Sequence, residues 1–177
     1  AFQVGSVITT TGFATADFNL WPSFSQSILV LLMFIGACAG STGGGIKVSR
    51  IVVLFKSVQK ELDVIVHPHN VKKLKMDGRV IEHTVVRSIN VFIASYLMVF
   101  ALSVLLISLD NFDFTTNFTA VAATINNIGP GLGMVGPTGN FSQFSDFSKL
   151  VLTFDMLAGR LELFPLLIVF AKNTWSK

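Results

Sequence analysis

Two short stretches carry the residue types with most chemical potential: Ile8-Thr9-Thr10-Thr11-Gly12-Phe13 and Asn126-Asn127-Ile128-Gly129-Pro130. Neither pairs a nucleophile with a base. Each sets hydroxyl or amide residues just before a glycine, whose backbone freedom lets successive carbonyl oxygens be aimed at one axis. A ring of such carbonyls replaces the hydration shell of a potassium ion, so the chemistry of this pattern is coordination of a desolvated cation. A third stretch, Gly40-Ser41-Thr42-Gly43-Gly44-Gly45, has a lysine two places on. A phosphate cradle would need Gly-Lys-Ser/Thr after a strand. Ile46 intervenes and the pattern shows no preceding strand, so that reading is rejected. Asp155, Arg160 and Glu162 are ionisable groups inside an apolar run. His67-Pro68-His69 has no partners for a zinc site, and the single cysteine, Cys38, matches no metal spacing.

The surroundings of these residues are not those of a soluble domain. Hydrophobic types make up 51% of the 177 residues and charged ones 13%, about half the charge of an ordinary globule. Mean hydropathy is +0.67. An integral membrane protein is the default. Between Arg87 and Asp110 lie 22 uncharged residues, which as a helix rise about 33 Å against a hydrocarbon core of about 30 Å. A second span is expected from Leu150 to Ala171, bracketed by Lys149 and Lys172. From Ile28 to Ala39 the chain is apolar, stops at Gly40–Gly45, and resumes from Ile46 to Phe55, which predicts a helix broken by six small residues. Thr115 to Asn126 and the tail Phe2 to Ile8 are too short to span, and are expected to be re-entrant. The chain begins at Ala1 in mid-pattern, which reads as the C-terminal piece of something longer.

Nine basic residues and four acids lie between Lys47 and Arg87, whereas the stretch from Asp110 to Asp146 has three Asp and no Lys or Arg. The positive-inside rule places 47–87 in the cytoplasm and 110–146 outside. Within the former, Asp77-Gly78 suits a two-residue hairpin turn. The net charge of +3 is too small and too localised for a nucleic-acid partner.

The informative feature is internal repetition. Ser6 to Phe13 aligns on Ala123 to Pro130 through Gly12 and Gly129, each with a helical approach, a glycine, an outer loop and then a long apolar helix. Gly12 to Gly43 and Gly129 to Arg160 are both 31 residues, so the glycine break and the buried charge fall at corresponding depths. Repeats outweigh single motifs. Irregular backbone at membrane depth must line a water pathway, so Gly40, Ser41, Thr42, Gly43, Gly44 and Gly45 are expected to form a flexible gate.

The run Ile8 to Phe13, followed by Ala39 to Lys47, resembles the Trk/Ktr/HKT potassium transporters. His67-Pro68, Asn126 to Gly133 and Gly159-Arg160-Leu161-Glu162 are closest to the bacterial branch of that superfamily, and the resemblance covers essentially the whole chain. It implies an all-α membrane fold of potassium-channel-like M1–pore helix–M2 repeats with re-entrant filter loops, four to a pore. Residues 1–62 would end the third repeat, 63–83 would be a cytoplasmic linker with a hairpin, and 84–177 would form the fourth. The first two repeats would be missing, and the fragment alone should not conduct. Together with the repeat, the resemblance assigns a potassium filter to Thr10, Thr11, Gly12, Phe13, Asn127, Ile128 and Gly129, with K⁺ at Thr10, Thr11, Asn127 and Ile128. It supports an intramembrane gating loop at Gly40–Gly45 and a basic residue, Arg160, just below the filter as barrier and latch. It further implies a homodimer, a cytoplasmic nucleotide-binding regulatory subunit, contact with membrane lipid and the bacterial inner membrane as location. No covalent cofactor is expected; K⁺ is the cargo.

An arginine within a span costs about 2.5–3.5 kcal/mol on insertion scales unless it meets a cavity or partner. Asp155, Glu162 or carbonyls of the broken segment are the acceptors available, and pairing of Arg160 with these acids is the simpler expectation. The rival reading makes Asp155 and Glu162 proton or sodium carriers in a coupled secondary transporter. A membrane enzyme is a third class, unsupported by any Ser–His or metal constellation in the sequence.

Overall fold

The computed structural model describes residues 1–36, 38, 41, 43–67, 74–76 and 78–161, with the side chain of Arg79 left aside. Gly40, Thr42, Asp77, Glu162 and the rest of the expected span to Ala171 lie outside the described residues.

The chain opens with α1 (Phe2–Ile8), a 3₁₀ turn at Phe18–Leu20 and α2 (Ser23–Phe34). The sequence expectation of a broken helix holds. After α2 the backbone extends as β1 (Ile35–Gly36), which pairs in parallel with β2 (Ile46–Lys47) in the register Ile35↔Ile46 and Gly36↔Lys47. The interruption is therefore closed at its neck. A two-residue strand does precede the glycine run, contrary to the sequence reading, but Ile46 still separates Gly45 from Lys47 and the phosphate-cradle spacing still fails. Helix α3 (Val48–Val66) continues past residue 62. A hairpin of β3 (Lys75–Met76) and β4 (Arg79–Val80) follows, in antiparallel register across Asp77-Gly78, with Gly78 at φ +78°.

Helix α4 (His83–Ile107) starts five residues before the charge-free run, because nothing in His83–Arg87 stops a helix. Together with the 3₁₀ turn to Asp110 it is the one segment among the described residues long and apolar enough to cross a membrane. Helix α5 (Phe114–Ile125) is short, as expected, and almost wholly buried from Thr116 onward. Its small Ala and Thr side chains allow neighbouring backbones close; the hydroxyls of Thr119 and Thr124 bond back to the carbonyls of Thr115 and Ala120. Helix α6 (Asp146–Arg160) begins ahead of the expected Leu150, because Ser145 caps it by accepting from Ser148 N at 3.2 Å. Leu161 is its C-cap.

Around α5 pack α6, α4 and α2. Phe34, Phe100 and Phe118, one from each of α2, α4 and α5, meet with ring centroids 5.1–6.1 Å apart. Such offset contacts contribute about 0.5–1.5 kcal/mol each beyond area burial. The outer faces remain strongly apolar, with Leu20, Phe24, Met98, Leu105 and Phe114 all more than 70% or nearly so exposed.

Candidate functional site: two glycine loops over an inner cavity

Both short helices end in the same way. Thr9 and Asn126 are the C-caps of α1 and α5, with φ/ψ of −83°/0° and −92°/0°. The next residues, Thr10 and Asn127, are left-handed at φ +55° and +53°. Thr10 N donates to Val7 O at 3.1 Å and Thr11 N to Ser6 O at 2.9 Å. The matching bonds in the second loop are Asn127 N to Thr124 O, 3.0 Å, and Ile128 N to Ala123 O, 2.8 Å. This is the double bond of a Schellman cap, usually built on glycine at the left-handed position. Threonine there is an outlier for a β-branched residue. Gly12 and Gly129 follow at φ +77° and +104°. The loops are thus successive reversals of backbone hand.

The two loops converge. A Cβ on Gly12 would overlap the carbonyl oxygen of Ile128, so glycine is required there by space as well as by φ. Thr10, Thr11, Asn127, Ile128 and Gly129 line one cavity of about 380 Å³ with residues of α5 and α6. Phe13 is 73% exposed, and its carbonyl accepts from Ser6 Oγ at 2.6 Å. The second loop is braced from both sides. Tyr96 OH donates to Asn126 Oδ1 at 2.9 Å, Asn126 Nδ2 to Ala122 O at 2.8 Å, and Asn127 Nδ2 to Met156 O at 3.0 Å. Across the outer loops, Asn19 donates from Nδ2 to Gly133 O and accepts from Gly133 N.

Directly under the second loop lies the glycine run. Cβ atoms on Gly44 or Gly159 would overlap the carbonyl oxygens of Asn126 and Ile125 respectively, at the C-terminal end of α5. Gly45 is at φ +78°, close against the Asn126 side chain. Below this contact is a cavity of about 90 Å³ lined by Ser41, Gly43, Gly45, Lys47, Arg50 and Arg160, with Phe92 and Tyr96 on its apolar side. Of the expected gate residues, Ser41, Gly43, Gly45 and Arg160 therefore meet around one space and Gly44 packs beside it, while Gly40 and Thr42 lie outside the described residues. The Arg50 guanidinium sits 4.0 Å from the centroid of Phe92, a favourable cation–ring arrangement. Three cationic side chains thus face the negative end of the α5 dipole.

One expectation is corrected. Asp155 does not pair with Arg160: it is fully buried, and its Oδ1 accepts from Ser103 Oγ on α4 at 2.7 Å. Its Oδ2 has no hydrogen-bond partner. The i, i+5 spacing puts Asp155 and Arg160 on different sides of α6. The sequence reading also missed Lys47, counted there only as a cytoplasmic charge. Its Nζ donates to the carbonyls of Ser41 and Gly43. Tyr96 was missed as well, although it is the only tyrosine in the chain and lies in mid-span.

Two short helices with matching caps, converging glycine loops and a small cavity beneath them are the features that place the fold. The chain belongs to the TrkH family: the family model described as a cation transport protein matches residues 1–177. It is 42% identical over 176 residues to the Trk system potassium uptake protein TrkH of Escherichia coli K12, and 43% identical over 174 residues to that of Vibrio parahaemolyticus. Those alignments cover 99% and 98% of this chain but 36% of each relative. The crystal structure of the potassium transporter TrkH from Vibrio parahaemolyticus superposes with a TM-score of 0.90, at 43% identity over 99% of this chain and 37% of that one. The fold is accordingly that of an all-α membrane protein, and the chain spans little more than a third of the length of these relatives.

Proposed function

We propose that this chain is the pore-forming C-terminal part of a potassium-uptake subunit in the bacterial cytoplasmic membrane. The observation that carries the reading is the repeated cap: two loops reverse the backbone at Thr10/Gly12 and Asn127/Gly129 in the same way and share one cavity. Peptide planes that alternate in hand turn successive carbonyls toward a common side, which suits K⁺ at Thr10, Thr11, Asn127 and Ile128. Residues 1–62 close the third repeat and 84–177 form the fourth, with 63–83 a cytoplasmic linker. Two further repeats of the same subunit complete the ring, against the exposed apolar faces or beside lipid. The subunit works as a homodimer under a cytoplasmic nucleotide-binding regulator.

Gating is assigned to Gly40–Gly45 and Arg160. The loop stands under Asn126, and Lys47, Arg50 and Arg160 crowd the cavity beneath. In that arrangement, positive charge opposes a cation leaving the filter inward. Movement of the loop and of Arg160 clears the way.

The rival reading couples flux to protons or sodium through Asp155 and Glu162, the latter outside the described residues. Asp155 is fully buried, accepts from Ser103 Oγ, and lines neither cavity described above. The experiment is ⁸⁶Rb⁺ uptake by the full-length subunit in liposomes with Na⁺ and pH gradients clamped to zero. Uptake driven by the K⁺ gradient alone is the expected result; a requirement for either clamped gradient overturns the reading in favour of coupling.

A further inference from the structure

Lys47 is not a spare charge at the head of a cytoplasmic helix. Its position is fixed by β2, whose pairing with β1 places Lys47 opposite Gly36 at the neck of the glycine loop. From there the ammonium turns back into the loop and donates to Ser41 O and, at 3.5 Å, to Gly43 O. The loop is held from inside as well: Ser41 N donates to Cys38 O at 3.0 Å and Gly43 N to Ser41 Oγ at 3.1 Å. Two carbonyls from alternate residues, turned toward one monovalent cation, are the coordination that backbone loops offer potassium. Ammonium and potassium are close in effective radius and equal in charge. The neighbouring end of α5 adds negative potential from its terminal carbonyls.

We propose that the carbonyls of Ser41 and Gly43 form a monovalent-cation site within the gating loop, which the ammonium of Lys47 fills as a tethered occupant while the loop is closed. The proposal rests on the gating role of Gly40–Gly45. It adds that the closed loop needs a cation bound at its centre and carries that cation on its own chain. Without the lysine, dissolved potassium must take its place.

The test uses the full-length subunit in lipid vesicles, as wild type, Lys47→Met and Lys47→Arg. Backbone hydrogen exchange is followed in the peptide containing Ser41 to Ile46, at low and high K⁺ with ionic strength held by N-methyl-D-glucamine. Wild type and Lys47→Arg are expected to exchange at rates independent of K⁺. Lys47→Met should exchange about tenfold faster at low K⁺, the scale of losing a charge-assisted hydrogen bond, and slow again at high K⁺. Unchanged exchange in Lys47→Met, or acceleration equal at both K⁺ levels, overturns the cation site and leaves Lys47 a packing residue. Leak of ⁸⁶Rb⁺ in the same vesicles judges the gate separately. Raised leak in Arg160→Gln with K⁺-independent exchange in Lys47→Met keeps the gate and removes the site. Unchanged leak in Arg160→Gln with K⁺-dependent exchange in Lys47→Met keeps the site and removes the gate.

Discussion

Thr10 and Asn127 occupy the same left-handed position in two repeats, at φ +55° and +53°, each one residue past the C-cap of a short helix and two before a glycine of positive φ. Asparagine tolerates that conformation; threonine is strained in it by about 1–3 kcal/mol. Such strain persists only where surrounding structure enforces it, here through the bonds of Thr10 N and Thr11 N to Val7 O and Ser6 O.

The two glycines should differ in their response to substitution. At Gly129 nothing lies within 4 Å of an added Cβ, so alanine meets only the backbone penalty of φ +104°, about 1–3 kcal/mol. At Gly12 the same change adds overlap with the carbonyl of Ile128, which costs about 1–3 kcal/mol more if the loops must separate. Thermal unfolding of the full-length subunit in detergent is expected to rank wild type above Gly129→Ala and Gly129→Ala above Gly12→Ala.

Asp113 gives the short helix α5 an acid-dependent anchor. Its carboxylate accepts from Thr116 Oγ1 and from Thr116 N at 3.1 Å, and these bonds, the side-chain one first, hold its pKa below the ordinary carboxylate value. A depressed folded pKa means the stabilisation is complete above the unfolded value of about 3.9 and is lost as pH falls through the folded value. Asp113→Ala should cost about 1 kcal/mol near neutrality. Melting curves of the two proteins should converge in acid, and a gap that persists there would show the cap is not the cause.

Asp155 and Ser103 join α6 to α4 through a buried hydrogen bond. Asp155→Asn keeps the shape and an acceptor, so uptake under clamped gradients should change less than about twofold, the effect of a few tenths of a kcal/mol. Asp155→Ala strands the Ser103 hydroxyl and should lower stability by about 1–3 kcal/mol. Abolished uptake with intact folding in Asp155→Asn would support the proton-coupled rival.

Arg160 follows Gly159, whose backbone rests on Ile125 O at the inner end of α5. Replacing it by Gln removes one of three cations from the inner cavity. Closed-state ⁸⁶Rb⁺ leak is expected to rise about tenfold, equivalent to lowering a barrier by about 1.4 kcal/mol; an unchanged leak contradicts the gate assignment.

Much of this was legible without coordinates, and for identifiable reasons. The charge-free run before Asp110 dictated α4, and the alignment of Ser6–Phe13 on Ala123–Pro130 through their glycines showed that the two loops correspond, though not that Thr10 and Asn127 would be left-handed. What the sequence hid were partners far apart in the chain. Nothing local shows that Asp155 would bond Ser103 instead of Arg160, or that Tyr96 would support Asn126. A two-residue parallel pairing such as Ile35↔Ile46 and Gly36↔Lys47 has too little periodicity to read, so Lys47 looked like an ordinary positive-inside charge. The start of α6 was readable in principle, since Ser145 is a good capping residue; beginning the span at Leu150 passed over it.

The central claim is that the glycine loops select potassium. It is tested most directly by ⁸⁶Rb⁺ uptake into liposomes holding the full-length subunit, competed with K⁺ and with Na⁺, beside a Gly129→Ser version. Competition by K⁺ but not Na⁺, with that preference weakened by the substitution, is the predicted result. Equal competition by both ions, or a preference untouched in Gly129→Ser, would contradict it.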